Sequence, residues 1–552
     1  MEDKTRSYTT NLVDPKSGFN TASRTFHSHM PPLNLPPPHA NISAAAYTLS
    51  LRRNSSWSDS VIALVDSATS HQLSYSDLIQ RSETLATNLT TLYGLTKGQT
   101  AFILSPNLIQ VPILYFALLS IGVVVSPANP ISTRSEISRL VNLCQPVIAF
   151  ATSFSAPKLP KLRLGTILLD SPEFDSLTTT TAASILRGGV DVSQSDVAAI
   201  LYSSGTTGKV KGVMLRHRNL MASVAGYDAV RVRTESPAVY LYTVPYFHVY
   251  GFTYCLRSVA MMDTVVVMER FGLGKMLDAV ERFGVTHLVA APPVVVAMSK
   301  DGVTEGHDLT SLQGVRCGGA PLGKETVAAF KLRFPGVLLV QGYGLTESTA
   351  GVIRTMGPDE TNRRPGTTGR LIGGMEAKIV NPNTGEAMFP GEQGELWLRG
   401  PTIMKGYVGD PEATSVTLRD GWLRTGDLCY FDNEGFLYVV DRLKELIKYK
   451  GYQVAPAELE QLLMSHPKIN DAAVIPYPDE DAGQVPMAFV VRQPQSSLSE
   501  AAIIDFVAKQ VAPYKKIRHV TFVDSIPKNA AGKILRKDLK NKIVLHRPSS
   551  RL

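Results

Sequence analysis

The sequence predicts an α/β protein with a large N-terminal body, a β-rich subdomain and a small α+β C-terminal domain. Between Val61 and Val340, short apolar runs alternate with amphipathic stretches, which is typical of sheets layered with helices. From Gly366 to Asp441, glycines separate short runs of alternating polarity, as in β-rich subdomains. A chain of 552 residues is also too long for a single hydrophobic core. We therefore predict an extended, proline-rich lead-in over 1–45, an N-terminal domain over 46–440 and a C-terminal domain over 441–552.

The first long helix of the predicted body is bounded by a capping serine, Ser74, and a terminating glycine, Gly94. Its apolar face is formed by Leu78, Leu85, Leu89 and Leu92. Later strand patterns are AFILSP, TVVVME, THLVAA, GVRCGG and VLLVQGYG. Helix patterns lie between them, over VPILYFALL, through Leu277 to Phe283, into Met298 and over Val327 to Leu332. Ligands of such sheets bind at the carboxyl ends of the strands.

The β-rich part contains the runs EAKIV, ELWLRG, LCYF and FLYVV, with no helix pattern, and predicts a small barrel or sheet. Beyond it, AELEQLLMSH predicts a helix with Pro456 near its start, and a second helix is predicted from Glu500 to Val511. Strand patterns AAVIPYP, MAFVVR and HVTFVD accompany them. The charged segment DRLKELIKYKG, which precedes these elements, predicts a hinge rather than core.

Composition and charge exclude several classes of protein. The hydrophobic content of 44% and charged content of 19% are those of a globular protein. The net charge of +8 lies largely in the tail after Lys528, where Asp538 is the single acidic residue. Because no aromatic residues interleave there to stack on bases, a solvated tail or an anionic-ligand contact is favoured over nucleic-acid binding. The four cysteines are scattered, which disfavours a disulfide scaffold or zinc site and fits a reducing compartment.

The ends of the chain bear on location. The N-terminus, MEDKTRSYTT, lacks the apolar core of a secretory signal. The longest apolar run, Val111 to Val125, is too short for a membrane span and predicts a buried helix leading into a strand. The last residues, Ser550-Arg551-Leu552, are a variant of the peroxisomal Ser-Lys-Leu address. We predict a peroxisomal location, with the cytoplasm as the alternative.

The motif with the clearest chemistry is YSSGTTGKVKG, from Tyr202 to Gly212. Its glycines let main-chain N–H groups approach a ligand, and the adjoining hydroxyls and ammonium groups suit a polyphosphate. It is not a Walker A loop, because only two residues separate Gly205 from Gly208 and Lys209 is not followed by Ser or Thr. The alternative is a hairpin turn with solubilising lysines. Its flanks predict strand–loop–strand, with a helix from about Asn219.

A second motif, QGYGLTE, follows a buried strand pattern, so its polar groups emerge at the carboxyl edge of the sheet. Tyr343 suits adenine stacking and Thr346 a phosphate hydrogen bond. Glu347 suits Mg²⁺, which prefers one or two carboxylates together with phosphate oxygens and water. The alternative is a strand-to-turn segment with an exposed glutamate.

Four further signals are weaker when taken singly. Asp427, which ends WLRTGD, is an acceptor suited to vicinal ribose hydroxyls, or else part of a simple turn. The pair Gly318-Gly319 permits close backbone approach to a ligand, but a simple tight turn would have the same sequence. His248 stands among aromatics, where a core histidine is the alternative. Lys533, in PKNAAGKILRK, could neutralise charge on transferring oxygens, or be one surface cation among many.

In this order, YSSGTTGKVKG, QGYGLTE, WLRTGD, DRLKELIKYKG and PKNAAGKILRK resemble the motifs of the acyl-adenylate-forming superfamily. Within it, the chain is similar to the plant 4-coumarate–CoA ligase-like acyl-CoA synthetases over residues 45–545. The resemblance implies an ATP-dependent carboxylate–CoA ligase with ATP and CoA as co-substrates and Mg²⁺ as cofactor. The acid would form acyl-AMP and pyrophosphate, and the CoA thiol would then displace AMP. A mobile C-terminal cap would swing between the two half-reactions.

The resemblance also implies a role for each matching residue. Those implied to bind ATP or AMP are Ser203, Ser204, Gly205, Thr206, Thr207, Gly208, Lys211, Gln341, Gly342, Tyr343, Gly344, Thr346, Asp427 and Arg442, with Glu347 on the metal. Lys533 would serve adenylation; after rotation near Lys444, Lys448 and Gln453 would serve the thioester step, with Lys450 and Gly451 near CoA. His248 would gate the passage between the acyl pocket and the CoA tunnel. The implied acyl pocket comprises Tyr250, Tyr254, Cys317, Gly318 and Gly319.

Departures from the family pattern bear on the substrate. GELWLRG stands where 4-coumarate ligases usually have GEICIRG, and the segment Val249 to Tyr254 is bulkier than theirs. A hydroxycinnamate, a fatty acid and a jasmonate-precursor acid are therefore equally compatible substrates. An amino-acid-adenylating domain is disfavoured because Pro245 to Tyr254 offers no carboxylate for a substrate ammonium. A luciferase-type monooxygenase and a catalytically inactive nucleotide-binding homologue are the alternatives. The predicted partners are the acid, ATP, CoA and the peroxisomal import receptor, for a monomer that binds no nucleic acid and has no transmembrane segment.

Overall fold

The computed structural model describes residues 13–54, 57–181, 190–203, 210–232, 234–320, 322–357, 360–361, 364–450, 452–479, 481–529 and 532–545, without the side chains at 54, 453 and 542–545. Its helices are α1 (Ala44–Leu51), α2 (Tyr75–Thr91), α3 (Gln110–Ser120), α4 (Arg134–Cys144), α5 (Pro172–Thr179), α6 (His217–Asp228), α7 (Val249–Met261), α8 (Leu273–Phe283), α9 (Pro292–Met298), α10 (Lys324–Arg333), α11 (Pro411–Thr417), α12 (Pro456–Met464), α13 (Glu500–Ala508) and α14 (Arg536–Leu545). Every helix in these ranges is too short or too polar to span a bilayer.

The strands are β1 (Phe19–Asn20), β2 (Thr25–His27), β3 (Ile62–Asp66), β4 (Gln72–Ser74), β5 (Thr100–Leu104), β6 (Val124–Ala128), β7 (Ile148–Ala151), β8 (Thr166–Leu168), β9 (Val197–Ser203), β10 (Lys211–Arg216), β11 (Val239–Tyr242), β12 (Thr264–Val267), β13 (His287–Ala290), β14 (Gly314–Cys317), β15 (Leu338–Leu345), β16 (Ala350–Arg354), β17 (Arg370–Leu371), β18 (Glu376–Val380), β19 (Gly394–Arg399), β20 (Gly406–Tyr407), β21 (Leu418–Arg419), β22 (Trp422–Phe431), β23 (Leu437–Arg442), β24 (Ile447–Tyr449), β25 (Tyr452–Val454), β26 (Ile469–Asp479), β27 (Gly483–Arg492) and β28 (His519–Phe522).

Two largely parallel sheets form the body. The nine-stranded sheet has the order β17-β16-β15-β14-β13-β11-β12-β3-β4, and the seven-stranded sheet has the order β20-β10-β9-β6-β5-β7-β8. Their inner strands pair in parallel and are almost wholly apolar, because both faces are covered. The parallel pairing places the segments after β14 and within β15 at one edge of the nine-stranded sheet. The predicted α/β alternation is confirmed.

The β-rich region is an antiparallel seven-stranded sheet rather than a barrel. Its order is β1-β2-β18-β19-β22-β21, with β23 paired to β22. The predicted lead-in is extended at β1 and β2, but it is also an integral part of this sheet, and Phe26 stacks on Phe431 with ring centroids 4.3 Å apart. The expectation that this region has no helix is wrong at α11, where Asp410 caps a single short helix.

Residues 447–545 contain two hydrophobic clusters that are separate from those of the body, and we call this unit the cap. Its five-stranded sheet has the order β25-β24-β27-β26, with β28 beside β27, and helices α12 and α13 pack on it. The prediction that DRLKELIKYKG lies outside any core is partly wrong, because Leu446 and Ile447 are buried and Ile447 belongs to the core of the cap. The predicted domain boundaries at 45 and 440 stay predictions.

Helix α2 illustrates how local sequence determines an element. Ser74 accepts a hydrogen bond from the Asp77 N–H, and the Asp77 carboxylate accepts one from the Ser74 N–H at 2.9 Å, which is a reciprocal capping box. Leu85 and Leu89 are fully buried, as the apolar stripe predicts. Leu92, however, is 57% exposed, because α2 ends at Thr91 and Leu92 leaves the buried face.

Candidate active site

A cleft of about 400 Å³ lies between the body and the cap. The predicted site residues that line it are Cys317, Gly319, Gln341, Gly342, Tyr343, Gly344, Asp427, Arg442 and Lys533. They come from the end of β14, from β15, β22 and β23, and from the loop that precedes α14. The fold therefore brings together groups from four of the motifs that the sequence singled out.

Asp427 is a buried acceptor in the wall of this cleft, with 2% of its surface exposed. The Tyr343 hydroxyl donates to Asp427 Oδ2 at 2.7 Å, and Arg442 Nε lies 3.0 Å from Asp427 Oδ1. Arg442 is also the cross-strand partner of Asp427 in the β22–β23 ladder, which fixes the ion pair. Burial raises the pKa of the Asp427 carboxyl, and the guanidinium and hydroxyl oppose that rise. The arrangement holds one acceptor carboxylate in a fixed orientation beside an aromatic ring.

Lys533 reaches the cleft from the cap, on a loop braced at both ends. Its N–H donates to Asn529 Oδ1 at 2.9 Å, and the Asn529 N–H donates to the Lys533 carbonyl at 2.9 Å. Gly532 has a φ of +77°, and a Cβ there would come within 3.1 Å of the Pro293 ring of the body, so glycine permits this close approach. Burial, together with Arg442, lowers the pKa of Lys533 to about 8, against the opposing effect of Glu445.

Glu347 lies where the two parallel sheets meet. Its Oε1 accepts hydrogen bonds from Ser203 Oγ at 2.9 Å and from the Tyr407 hydroxyl at 3.0 Å. The Lys211 ammonium is 4.5 Å above the Tyr407 ring, so a cation stands beside the same group. Thr346, next to Glu347, is buried. The hydrogen bond between Ser203 and Glu347 therefore connects the end of β9, just before the glycine-rich loop, to the end of QGYGLTE.

The chemistry of Glu347 fits Mg²⁺. Within the described ranges, no group of three or more His, Cys, Asp or Glu side chains could enclose a metal ion. A magnesium ion at Glu347 would therefore take its other ligands from phosphate oxygens and water, which is the coordination that this ion prefers.

The predicted acyl pocket is an aromatic wall beside the cleft. Tyr250 packs over Gly318, where a Cβ would meet the phenol ring at 3.5 Å, and its hydroxyl donates to the Arg316 carbonyl at 3.0 Å. Tyr254 meets Tyr250 edge-to-face at 5.1 Å. Cys317 has only 4% exposure and packs in the core beneath α8 to α10, so it borders the cleft as an apolar group.

His248 is the N-cap of α7, and its Nδ1 accepts a hydrogen bond from the Tyr250 N–H at 3.3 Å. Burial lowers the pKa of His248 to about 4, so the ring is neutral at physiological pH. Because the ring is neutral, it suits a role in opening and closing a passage beside the aromatic wall better than a role as a proton donor.

Lys448 and Lys450 lie away from the cleft. Lys448 is exposed on β24, directly opposite Gln453 of β25, and its N–H donates to Gln484 Oε1 at 2.9 Å. Lys450 is exposed at the tip of the same hairpin. Of the two lysines expected to act in turn, only Lys533 lines the cleft in this arrangement. Ser204 to Gly208 and Gly451 lie outside the described residues, as does the side chain of Gln453.

Sequence reasoning missed a set of charged groups at the border between body and cap. Arg536 forms ion pairs with Glu445 at 3.3 Å and with Glu460 at 2.9 Å. Burial raises the pKa of Glu460 to about 7, against the effect of Arg536. Sequence reasoning also missed Arg316 and Arg354. For Arg316, an arginine inside the apolar strand pattern GVRCGG was a usable signal.

Residues 52–408 match the family described as AMP-binding enzyme, and residues 458–533 match the AMP-binding enzyme C-terminal domain. The chain therefore belongs to the AMP-binding enzyme family.

Relatives support a narrower class within that family. The Arabidopsis thaliana protein 4-coumarate–CoA ligase-like 9 is 51% identical over 565 residues, 99% of this chain and 100% of the relative. Peroxisomal OPC-8:0-CoA ligase 1, also from Arabidopsis thaliana, is 44% identical over 544 residues, 96% and 98% of the two chains. The structure of o-succinylbenzoate coenzyme A synthetase from Bacillus subtilis with ATP and magnesium matches with a TM-score of 0.77 at 27% identity, covering 90% and 99%. The predicted superfamily, the α/β fold and the acid–thiol ligase class are confirmed.

Proposed function

We propose that this ligase forms acyl-AMP and then acyl-CoA in the cleft between the body and the cap, using one lysine of the cap for each step. The observation that supports this most directly is the position of Lys533, a cap residue, in the same cleft wall as Asp427 and Arg442 of the body. ATP, CoA and Mg²⁺ are the co-substrates and the cofactor of this proposal.

In the first step, an oxygen of the acid attacks the α-phosphorus of ATP, and pyrophosphate leaves with the electrons of the broken P–O bond. Asp427 accepts the ribose hydroxyls, and the Tyr343 ring borders the adenine. The Lys533 ammonium neutralises charge on the attacking carboxylate and the α-phosphate, which is the main demand of phosphoryl-type transfer. A magnesium ion held by Glu347 would neutralise phosphate charge when it is bound.

In the second step, the sulfur of the CoA thiol attacks the acyl carbon and gives up its proton to solvent, and AMP leaves with the electrons of the broken C–O bond. The cap would first rotate near Lys444, which brings the exposed hairpin with Lys448 and Gln453 to the cleft. His248 would open the way between the acyl pocket and the incoming thiol. Lys448 is exposed on the surface of the cap, which supports this assignment. A lysine that reaches the substrate only after the cap rotates cannot be held in a buried ion pair before the rotation.

The substrate is a small-molecule carboxylic acid, and we consider hydroxycinnamates, fatty acids and jasmonate-precursor acids. We further propose a monomer that is imported into peroxisomes through Ser550-Arg551-Leu552, which lie outside the described residues. The tripeptide and the 44% identity to a relative named as a peroxisomal ligase support this location.

The proposed function is tested by screening pyrophosphate release and hydroxamate formation across hydroxycinnamates, benzoates, fatty acids of graded length and cyclopentanone acids, each with and without CoA. We expect at least one class to release pyrophosphate in both conditions and to yield a CoA thioester only with CoA. Light emission with luciferin, ATP and O₂ in place of thioester formation would favour a monooxygenase instead.

The lowered pKa of Lys533 predicts an alkaline limit on acyl-AMP formation. The ammonium form is present below about pH 8 and is lost above it, so kcat/KM for ATP should fall as the pH rises through about 8. Pyrophosphate exchange at subsaturating ATP measures this profile. Lys533→Arg keeps its charge, so the limit should move to higher pH in that variant; an unchanged limit would assign the titration to another group.

A further inference from the structure

Three arginines lie close together behind the aromatic wall of the predicted acyl pocket. We call Arg257 of α7, Arg316 of β14 and Arg354 of β16 the buried arginine cluster. Arg257 and Arg354 are 4% and 8% exposed, and Arg316 is half-buried although its strand lies inside the nine-stranded sheet. The cluster is unusual because arginine is almost never fully buried unless it is paired.

The cluster has more positive than negative charge. Asp263 forms an ion pair with Arg257. Within the described part of the chain, no carboxylate forms an ion pair with Arg316 or Arg354. A guanidinium in a protein interior is costly when it is not neutralised, so a fixed excess of positive charge calls for an anion.

Aromatic and main-chain groups take the place of counterions. The Arg354 guanidinium lies 4.3 Å above the Tyr227 ring and donates to the Gly226 carbonyl, while Arg354 Nε has no hydrogen-bond partner among the described residues. Arg316 Nε donates to the Tyr240 hydroxyl at 3.2 Å. These contacts orient the two guanidiniums but add no negative charge.

The phenol of Tyr227 lies beside two of these arginines, with the guanidiniums of Arg354 and Arg257 at 4.3 and 5.2 Å from its ring centroid. Burial raises the pKa of this phenol, but Arg354, the hydrogen bond to the Tyr254 hydroxyl and the other two arginines together lower it below its usual value. The positive charge of the cluster would likewise favour any negatively charged group placed beside these arginines.

The cluster continues from the proposed site. Arg354 is the cross-strand partner of Gly342, which lines the cleft. The Arg316 carbonyl accepts a hydrogen bond from the Tyr250 hydroxyl. Tyr254 contacts both Tyr250 and Tyr227 edge-to-face, at 5.1 and 5.8 Å. Arg316 and Arg354 are therefore joined to the wall of the cleft through Tyr250 and Gly342.

We propose that the acyl substrate is a dicarboxylic acid, and that Arg316 and Arg354 bind the carboxylate remote from the one that is activated. This inference rests on the proposed function. A second carboxylate neutralises the excess charge and accepts hydrogen bonds from guanidinium N–H groups, which is the geometry that arginine provides for carboxylates. An unsubstituted alkyl end would bring no negative charge to either guanidinium.

The test compares kcat/KM for pyrophosphate release between monocarboxylic, ω-keto and α,ω-dicarboxylic acids with equal numbers of carbon atoms, over a series of chain lengths. At the best length, we expect the diacid to exceed the monoacid by on the order of 10–10²-fold, the scale of hydrogen bonds to charged groups. Arg316→Met and Arg354→Met should remove most of this preference. Arg270→Met, at an exposed surface arginine, is the matched control and should keep it.

Arg316→Lys and Arg354→Lys guard against loss of folding, because they keep the charge and should keep part of the preference. Thermal stabilisation of each variant by ATP reports that the nucleotide site is intact. Equal or better activation of monoacids or ω-keto acids by the unmodified protein would overturn the inference and leave the proposed function standing. Failure of every acid to release pyrophosphate would instead overturn the proposed function.

Discussion

Lys533→Ala is expected to lower the rate of acyl-AMP formation by on the order of 10²–10³, the scale for the loss of one preorganised stabilising group. Lys533 is one of the cap residues that line the cleft, and the braced loop around Asn529 fixes its position. In the first step, negative charge shifts between the acid, the α-phosphate and pyrophosphate, so a nearby cation stabilises the transition state. ATP–pyrophosphate exchange measures this step alone.

The matched control for this prediction is Lys537→Ala. Lys537 belongs to the same basic segment but is exposed on α14, so its removal changes the charge of the cap equally without changing the cleft. Exchange should be close to normal in the control. Near-normal exchange in Lys533→Ala as well would remove Lys533 from the first step.

Lys448→Ala is expected to leave pyrophosphate exchange nearly unchanged and to lower thioester formation by on the order of 10², within the range for loss of one positioned polar catalyst. Lys448 is exposed on β24 and is absent from the cleft wall, so the first step does not depend on it in the arrangement described above. Quenched-flow measurement of acyl-CoA from preformed acyl-AMP isolates the second step.

Lys468→Ala is the control for Lys448, since it removes an exposed lysine from another surface of the cap. The informative result is a loss of thioester formation in Lys448→Ala without a comparable loss of pyrophosphate exchange. If Lys448→Ala lowers exchange and thioester formation by equal factors, Lys448 does not act separately in the second step, and the rotation of the cap loses its main support.

The parts of the fold that sequence reasoning could predict are those determined by local patterns. The capping box at Ser74 and Asp77 and the alternation of apolar runs are visible within a few residues, and the predicted elements follow them. Pairing between strands that are far apart in the sequence could not be predicted from such local patterns. The packing of Phe26 on Phe431 depends on two segments whose sequences contain no signal for each other, so the lead-in appeared unattached.

The same distinction holds for the site. Tyr343, Asp427 and Lys533 belong to recognisable motifs, and the structure brings them to one cleft. The Ser203–Glu347–Tyr407 contacts could not be predicted, because they depend on how the two parallel sheets meet. The pairing of Arg536 with Glu445 and Glu460 likewise depends on the position of the cap, which no local pattern encodes.

The most direct test of the account is to trap the intermediate. Purified protein is mixed with ATP, Mg²⁺ and each acid of the screening panel, extended by the dicarboxylic series, in the absence of CoA, and the quenched mixture is examined by mass spectrometry for acyl-AMP. The account predicts an acyl-adenylate bound at about one equivalent per chain, which disappears as acyl-CoA forms when CoA is added. Absence of any acyl-adenylate across the whole panel, from protein that still binds ATP, would contradict it.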